Sequence, residues 1–155
     1  MRHLIDFGDL TRAEWESLYQ RCSDIMDHPA DFMDACRGRV MASLFYEPST
    51  RTNFSFQTAM LRVGGTVFGF ADPKSTSTAK GETLKDTIKM VSGYADVIVM
   101  RPPWEGAAKA ASLYSAVPVV NAGDGGHMHP TQTLADLATL QSRFGRITDL
   151  TVGLC

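Results

Sequence analysis

The chain has 155 residues, 44% hydrophobic and 21% charged, the composition of one globular domain with a core of its own. Its formal net charge is -2 with acids and bases interspersed, so neither a nucleic-acid backbone nor an anionic membrane is an expected partner. No apolar run approaches the roughly 20 residues that cross a bilayer and the start lacks the apolar core of a signal peptide, so a cytoplasmic location is the expectation.

Cys22, Cys36 and Cys155 form no C-x-x-C pair, which argues against a disulfide framework or a structural zinc site and leaves buried or idle thiols. After a short extended start, Thr11 and Glu14 have capping-box spacing and predict a helix running to about residue 26. Short apolar runs at Val40–Phe45, Thr66–Phe70, 97–100, 117–120 and 150–154 read as buried strands. Helical stretches separate them. Residues 52–63 stop at Gly64-Gly65, while Leu84, Ile88 and Val91 recur on one helix face, and 105–114 and 131–144 complete the set. Strand and helix alternating in this way imply an α/β fold, a three-layer αβα domain with a mostly parallel sheet of about five strands. Residues 1–150 read as one domain. Residues 151–155 read as its last strand or as the start of a second domain, and the stop at Cys155 suggests a truncated chain.

In such sheets ligands sit beyond the carboxyl ends of the strands. The first strand runs into Glu47-Pro48-Ser49-Thr50-Arg51-Thr52 and then directly into a helix. Free amides at that helix start, hydroxyls and one guanidinium make an anion site, with phosphate as the natural guest. The plainer reading is a helix cap beside a solvated arginine. Arg101 closes another apolar strand and is either a sheet-end ion pair or a ligand group. The segment from Asn121 to Gln132 is rich in glycine, which permits close approach of a substrate, and Pro130 suits the first turn of a helix that would hold His129 and Gln132 at its start. Asp124, His127 and His129 raise a metal site, but no further acid or histidine of comparable spacing completes a shell. Met128 breaks the dinucleotide glycine pattern, and neither a Walker lysine nor a G-x-S-x-G elbow is present. The loop of residues 72–83 is hydroxyl-rich and basic, with Lys80 beside Gly81 able to swing over an anion.

Ser49-Thr50-Arg51-Thr52, Lys80-Gly81-Glu82-Thr83 and His129-Pro130-Thr131-Gln132 resemble, in order and spacing, the transcarbamoylase family. The likeness covers essentially the whole chain. The Lys-Gly-Glu-Thr loop and the Asn121 to Gly125 stretch look like the aspartate-using branch rather than the ornithine-using one. The resemblance implies transfer of a carbamoyl group from carbamoyl phosphate to L-aspartate in pyrimidine biosynthesis, with no metal and no organic cofactor. It further implies that Ser49, Thr50, Arg51, Thr52 and Arg101 hold the phosphate, that Thr52, Arg101 and His129 surround the carbonyl oxygen, and that Gln132 accepts from the carbamoyl amide. Members of the family form homotrimers with shared active sites, so Ser77 and Lys80 would act in the neighbouring subunit, and in some relatives a separate regulatory chain adds nucleotide control. The chain departs from the family at Pro102, where a histidine usually follows the arginine matching Arg101. The half that would bind aspartate is also missing, so the expectation for this fragment is carbamoyl-phosphate binding with little turnover. The rivals are an ornithine carbamoyltransferase domain and a non-catalytic anion-binding module.

Overall fold

The structure is a computed structural model that describes residues 1–153, Ser75 in its backbone only. Four parallel strands, β1 (Val40–Phe45), β2 (Thr66–Phe70), β3 (Val97–Arg101) and β4 (Val119–Asn121), lie in the order β2-β1-β3-β4. Helices α1 (Arg12–Asp27), α2 (Thr50–Arg62), α3 (Leu84–Val91), α4 (Ala107–Tyr114) and α5 (Pro130–Phe144) alternate with them. The α/β class is the one expected, but residues 150–153 form no strand, and Leu154 lies outside the described residues. The position beyond β4 is taken instead by the amino-terminal segment, where Leu4 bridges Val120 in parallel and donates from its amide to the Val119 carbonyl at 2.9 Å.

Strand side chains alternate between faces, and β1 shows how this builds two cores. Ala42 and Leu44 point with Ile98, Met100 and Val119 toward Ile88 and Val91 of α3 and Ala108 and Ala111 of α4. Met41 and Phe45 point with Val99 to the other face, against Met60 and Phe56 of α2. Each large aliphatic side chain fully buried in this way contributes on the order of 1.5–3 kcal/mol. The run at Thr66–Phe70 differs from the buried strand its composition suggests: it is the sheet edge, and Thr66, Phe68 and Gly69 are exposed. Apolar composition records burial somewhere along a strand, not which strand ends up outermost.

Strand β4 begins at Val119 rather than at 117, although the Pro118 carbonyl still accepts from the Ile98 amide at 2.9 Å. Helix α1 starts as its sequence dictates: the Thr11 hydroxyl accepts from the Glu14 amide at 3.3 Å and the Glu14 carboxylate accepts from the Thr11 amide at 2.8 Å. Cys22 is exposed and Cys36 half-buried, both as free thiols. Among the described residues, no helix is long and apolar enough to cross a membrane.

One buried polar contact seats α2 on the sheet. The Ser43 hydroxyl donates to Asn53 Oδ1 at 2.8 Å, and Gln57 Nε2 donates to the same oxygen at 2.7 Å. Ser43 and Asn53 are 1% and 5% exposed, so either one left alone would carry an uncompensated polar atom into the core. Replacing Asn53 by leucine should therefore destabilise the fold by about 1–3 kcal/mol. Urea denaturation should show a lower midpoint at unchanged slope, and adding Ser43→Ala should recover most of the loss.

Candidate anion-binding site

The chain leaves β1 toward β2 on one side and later supplies β3 and β4 on the other, so the strand order reverses between β1 and β3. Crossover segments then diverge from the carboxyl ends of these two strands and leave a crevice. Their ends are tied in register: Phe45 pairs with Arg101, and the Tyr46 amide donates to the Arg101 carbonyl at 3.0 Å. The segment leading out of β1 and the arginine closing β3 therefore meet at one place.

A cavity of about 780 Å³ opens there, lined by Ser49, Thr50, Arg51 and Thr52 from the start of α2, Arg101 from β3, and His129 and Gln132 from the start of α5. Two helix starts face it, and at neither does a side chain cap the helix: Ser49 and His129 occupy the cap positions without a side-chain hydrogen bond to the turn. In contrast, Thr11 and Thr83 close the starts of α1 and α3 with their hydroxyls. The first amides of α2 are thus left pointing outward with the positive end of the helix dipole.

The two arginines differ in their commitments. Arg51 is exposed and has no ion-pair partner among the described residues. Arg101 is anchored: its side chain is 18% exposed, Nη2 pairs with Glu47 Oε1 at 3.3 Å, and Nη1 donates to the Ala122 carbonyl at 3.2 Å. Its Nε is buried with no hydrogen-bond partner. Gly123 makes room for this arrangement. Its φ is +109°, and a Cβ there would lie 2.7 Å from Arg101 Nη1 and 3.3 Å from His129 Cδ2.

Burial, and then the positive charge of Arg101, lower the pKa of His129, so the imidazole is neutral at pH 7. Its Nδ1 lies 3.3 Å from the Thr131 hydroxyl. Asp124 holds the loop that delivers it. At 1% exposure, this carboxylate accepts from the Gly106 amide at 2.9 Å, the Met128 amide at 3.0 Å and Asn121 Nδ2 at 3.2 Å. His127, 52% exposed, has Nδ1 3.5 Å from Asp124 Oδ2, so Asp124 links loop to strand end and the start of α4. Among the described residues no group of three His, Cys, Asp or Glu is arranged to hold a metal ion.

Of the residues singled out in the sequence, Ser77 and Lys80 stand apart. Both lie on an exposed 3-10 turn, Ser77–Lys80, and neither lines the cavity. Ser55 is a polar lining residue outside the sequence motifs, while Glu47 and Thr131 stood within them without a role. The only signal for Glu47 was an acid and an arginine at the ends of two apolar runs, whose adjacency the sequence does not give. For Thr131 it was a hydroxyl two residues beyond His129.

Fold and cavity define an α/β domain with a cavity at its strand ends that two arginines and an uncapped helix start make positive. The chain matches the family described as aspartate/ornithine carbamoyltransferase, carbamoyl-P binding domain, over residues 2–142, and it belongs to that family. It is 64% identical over 154 residues to the aspartate carbamoyltransferase catalytic subunit of Bifidobacterium longum, covering 99% of this chain and 48% of the relative. With the same subunit of Clostridium acetobutylicum it shares 56% identity, covering 99% of this chain and 50% of the relative. The chain thus spans about half the length of the curated relatives it matches. Among solved structures, the catalytic subunit of M. jannaschii aspartate transcarbamoylase superposes with a TM-score of 0.86 at 49% identity, over 94% of this chain and 48% of that one. The Trypanosoma cruzi enzyme in complex with carbamoyl phosphate and aspartate gives 0.88 at 37% identity, again over 94% and 48%.

In an NMR titration, the His129 imidazole should titrate below the ordinary 6.5. Arg101→Gln should raise the midpoint yet leave it below 6.5, because burial is the larger cause. Since the folded chain takes up this proton less readily than the unfolded one, stability attributable to His129 should fall as pH drops below 6.5, until the folded midpoint is passed.

Proposed function

We propose that this chain is the carbamoyl-phosphate-binding part of an aspartate carbamoyltransferase, which makes N-carbamoyl-L-aspartate and phosphate for pyrimidine biosynthesis. The observation that carries this reading is the convergence of two uncapped helix starts, two guanidinium groups and one neutral imidazole on a single cavity at the β1/β3 crevice. The names of the relatives favour aspartate as the acceptor over ornithine.

In the proposed reaction the phosphate lies against Ser49, Thr50, Arg51 and Thr52, where the amides of α2 and the uncommitted Arg51 offer donors and charge. The carbonyl oxygen faces Thr52, Arg101 and His129. When the aspartate amine attacks the carbonyl carbon, a C–N bond forms and the carbonyl electron pair moves onto oxygen. Fixed donors aimed at that oxyanion are worth several kcal/mol, and anchoring by Glu47 and Ala122 keeps Arg101 in place as the charge develops. The intermediate then reforms the carbonyl as the C–O bond breaks, and phosphate departs with that electron pair and takes up the amine proton. His129, being neutral, supports the oxygen as a hydrogen-bond donor. Holding both reactants in line supplies a further part of the acceleration.

The proposal places the enzyme in the cytoplasm as a homotrimer, in which Ser77 and Lys80 of one copy reach the cavity of the next. It rests on the family resemblance, and the exposed position of both residues outside their own cavity supports it. Residues 1–150 form the phosphate-binding domain in this reading, and aspartate is held by a further domain.

Titration calorimetry with carbamoyl phosphate should show binding by the chain, weakened about ten- to a hundredfold by Arg51→Ala, the worth of a hydrogen bond to a charged group. Unchanged affinity would remove Arg51 from the site. With the full-length protein, mixing Lys80→Ala and Arg51→Ala subunits should restore carbamoyl-aspartate formation, because some sites in the mixed trimers receive both intact residues. No restoration would reject action in the neighbouring subunit.

A further inference from the structure

Gln132 lines the cavity from the first turn of α5, and its side-chain amide has two unlike ends. An amide left to itself can turn either its oxygen or its NH2 toward a ligand. Here one turn of the helix separates it from Asp136, and Gln132 Nε2 donates to Asp136 Oδ1 at 2.9 Å. A carboxylate only accepts, so this contact dictates the amide's orientation. The nitrogen is committed to Asp136, which leaves Oε1 as the end free to accept from a ligand.

The surroundings of Asp136 support a role of this kind. It forms no ion pair with any described cation, so its charge is not balanced by a local partner. That charge reaches the site, since Asp136 acts on His129 against the lowering of the imidazole pKa. A carboxylate so near an anion cavity opposes anion binding by like-charge repulsion. Its position is accounted for if orienting Gln132 matters more than that repulsion.

We propose that Asp136 is a positioning residue that turns the Gln132 carbonyl oxygen toward the acyl group, and so makes the site select an acyl phosphate bearing NH2 over one bearing CH3. The inference rests on the carbamoyl-phosphate reading of the cavity. Carbamoyl phosphate and acetyl phosphate share the phosphate, the carbonyl and nearly the same outline, and differ in NH2 against methyl. An acceptor at Gln132 rewards the first and leaves the second unmatched. With the amide reversed, NH2 would face NH2 and the preference would be lost.

The test is titration calorimetry of the full chain with carbamoyl phosphate, acetyl phosphate and inorganic phosphate as separate probes. Asp136→Ala should cut the preference for carbamoyl over acetyl phosphate about two- to threefold, because the freed amide keeps its acceptor oxygen but no longer holds it toward the ligand. Inorganic phosphate should bind as well as before or slightly better, because a nearby negative charge is gone, and this also reports that the variant is folded. Asp136→Asn, whose amide can accept or donate, should fall between the two. Gln132→Ala should lose more, about five- to tenfold, the worth of one neutral hydrogen bond, and the double variant should lose no more than Gln132→Ala alone. An unchanged ratio in Asp136→Ala, or an equal loss for all three ligands, would overturn the proposal. Wild-type chain binding carbamoyl phosphate no better than inorganic phosphate would instead overturn the carbamoyl-phosphate reading itself, and this proposal with it.

Discussion

The pairing of β1 with β3 is the constraint on which the site depends. These strands are distant in sequence, yet their parallel register brings Phe45 beside Arg101, and the chain diverges from their ends in opposite directions. Without that adjacency, the start of α2 and the guanidinium of Arg101 would be separate surface features. With it, two sources of positive potential share a crevice that opens where no crossover helix can cover it. The buried Ser43–Asn53 contact extends the same constraint to α2, so the helix that offers its amides is fixed to the strand that precedes it.

Charge in the cavity is graded rather than simply accumulated. Arg51 is exposed and uncommitted, which suits a group that meets an incoming anion. Arg101 is held by Glu47 and the Ala122 carbonyl, which suits a group that must already be in place when an oxyanion forms. The cost of crowding a guanidinium and an imidazole together is relieved in two ways. His129 remains neutral, and Gly123 removes the side chain that would have separated them.

Asp124 was open to a metal reading on sequence alone, in company with His127 and His129. The structure assigns its carboxylate to two backbone amides and the Asn121 side chain, deep below the surface. Spacing could not separate these readings, because a loop rich in glycine and histidine is compatible with either. Only the position of the α4 start against the loop decides it, and that depends on packing across the sheet.

By itself the sequence determined the α/β alternation, the starts and stops of most helices and the family likeness, since each is written in local pattern and spacing, whereas the uncapped start of α2 was settled only by the structure. Tertiary structure decided which strand lies at the edge, that Leu4 rather than residues 150–153 extends the sheet beyond β4, and that Ser77 and Lys80 lie outside the cavity of their own chain. It also decided that Glu47 anchors Arg101 and that Asp136 orients Gln132. The physical reason is range. Propensity, capping and periodicity act over a few residues, whereas strand order and side-chain partnership are settled by which surfaces can be buried together.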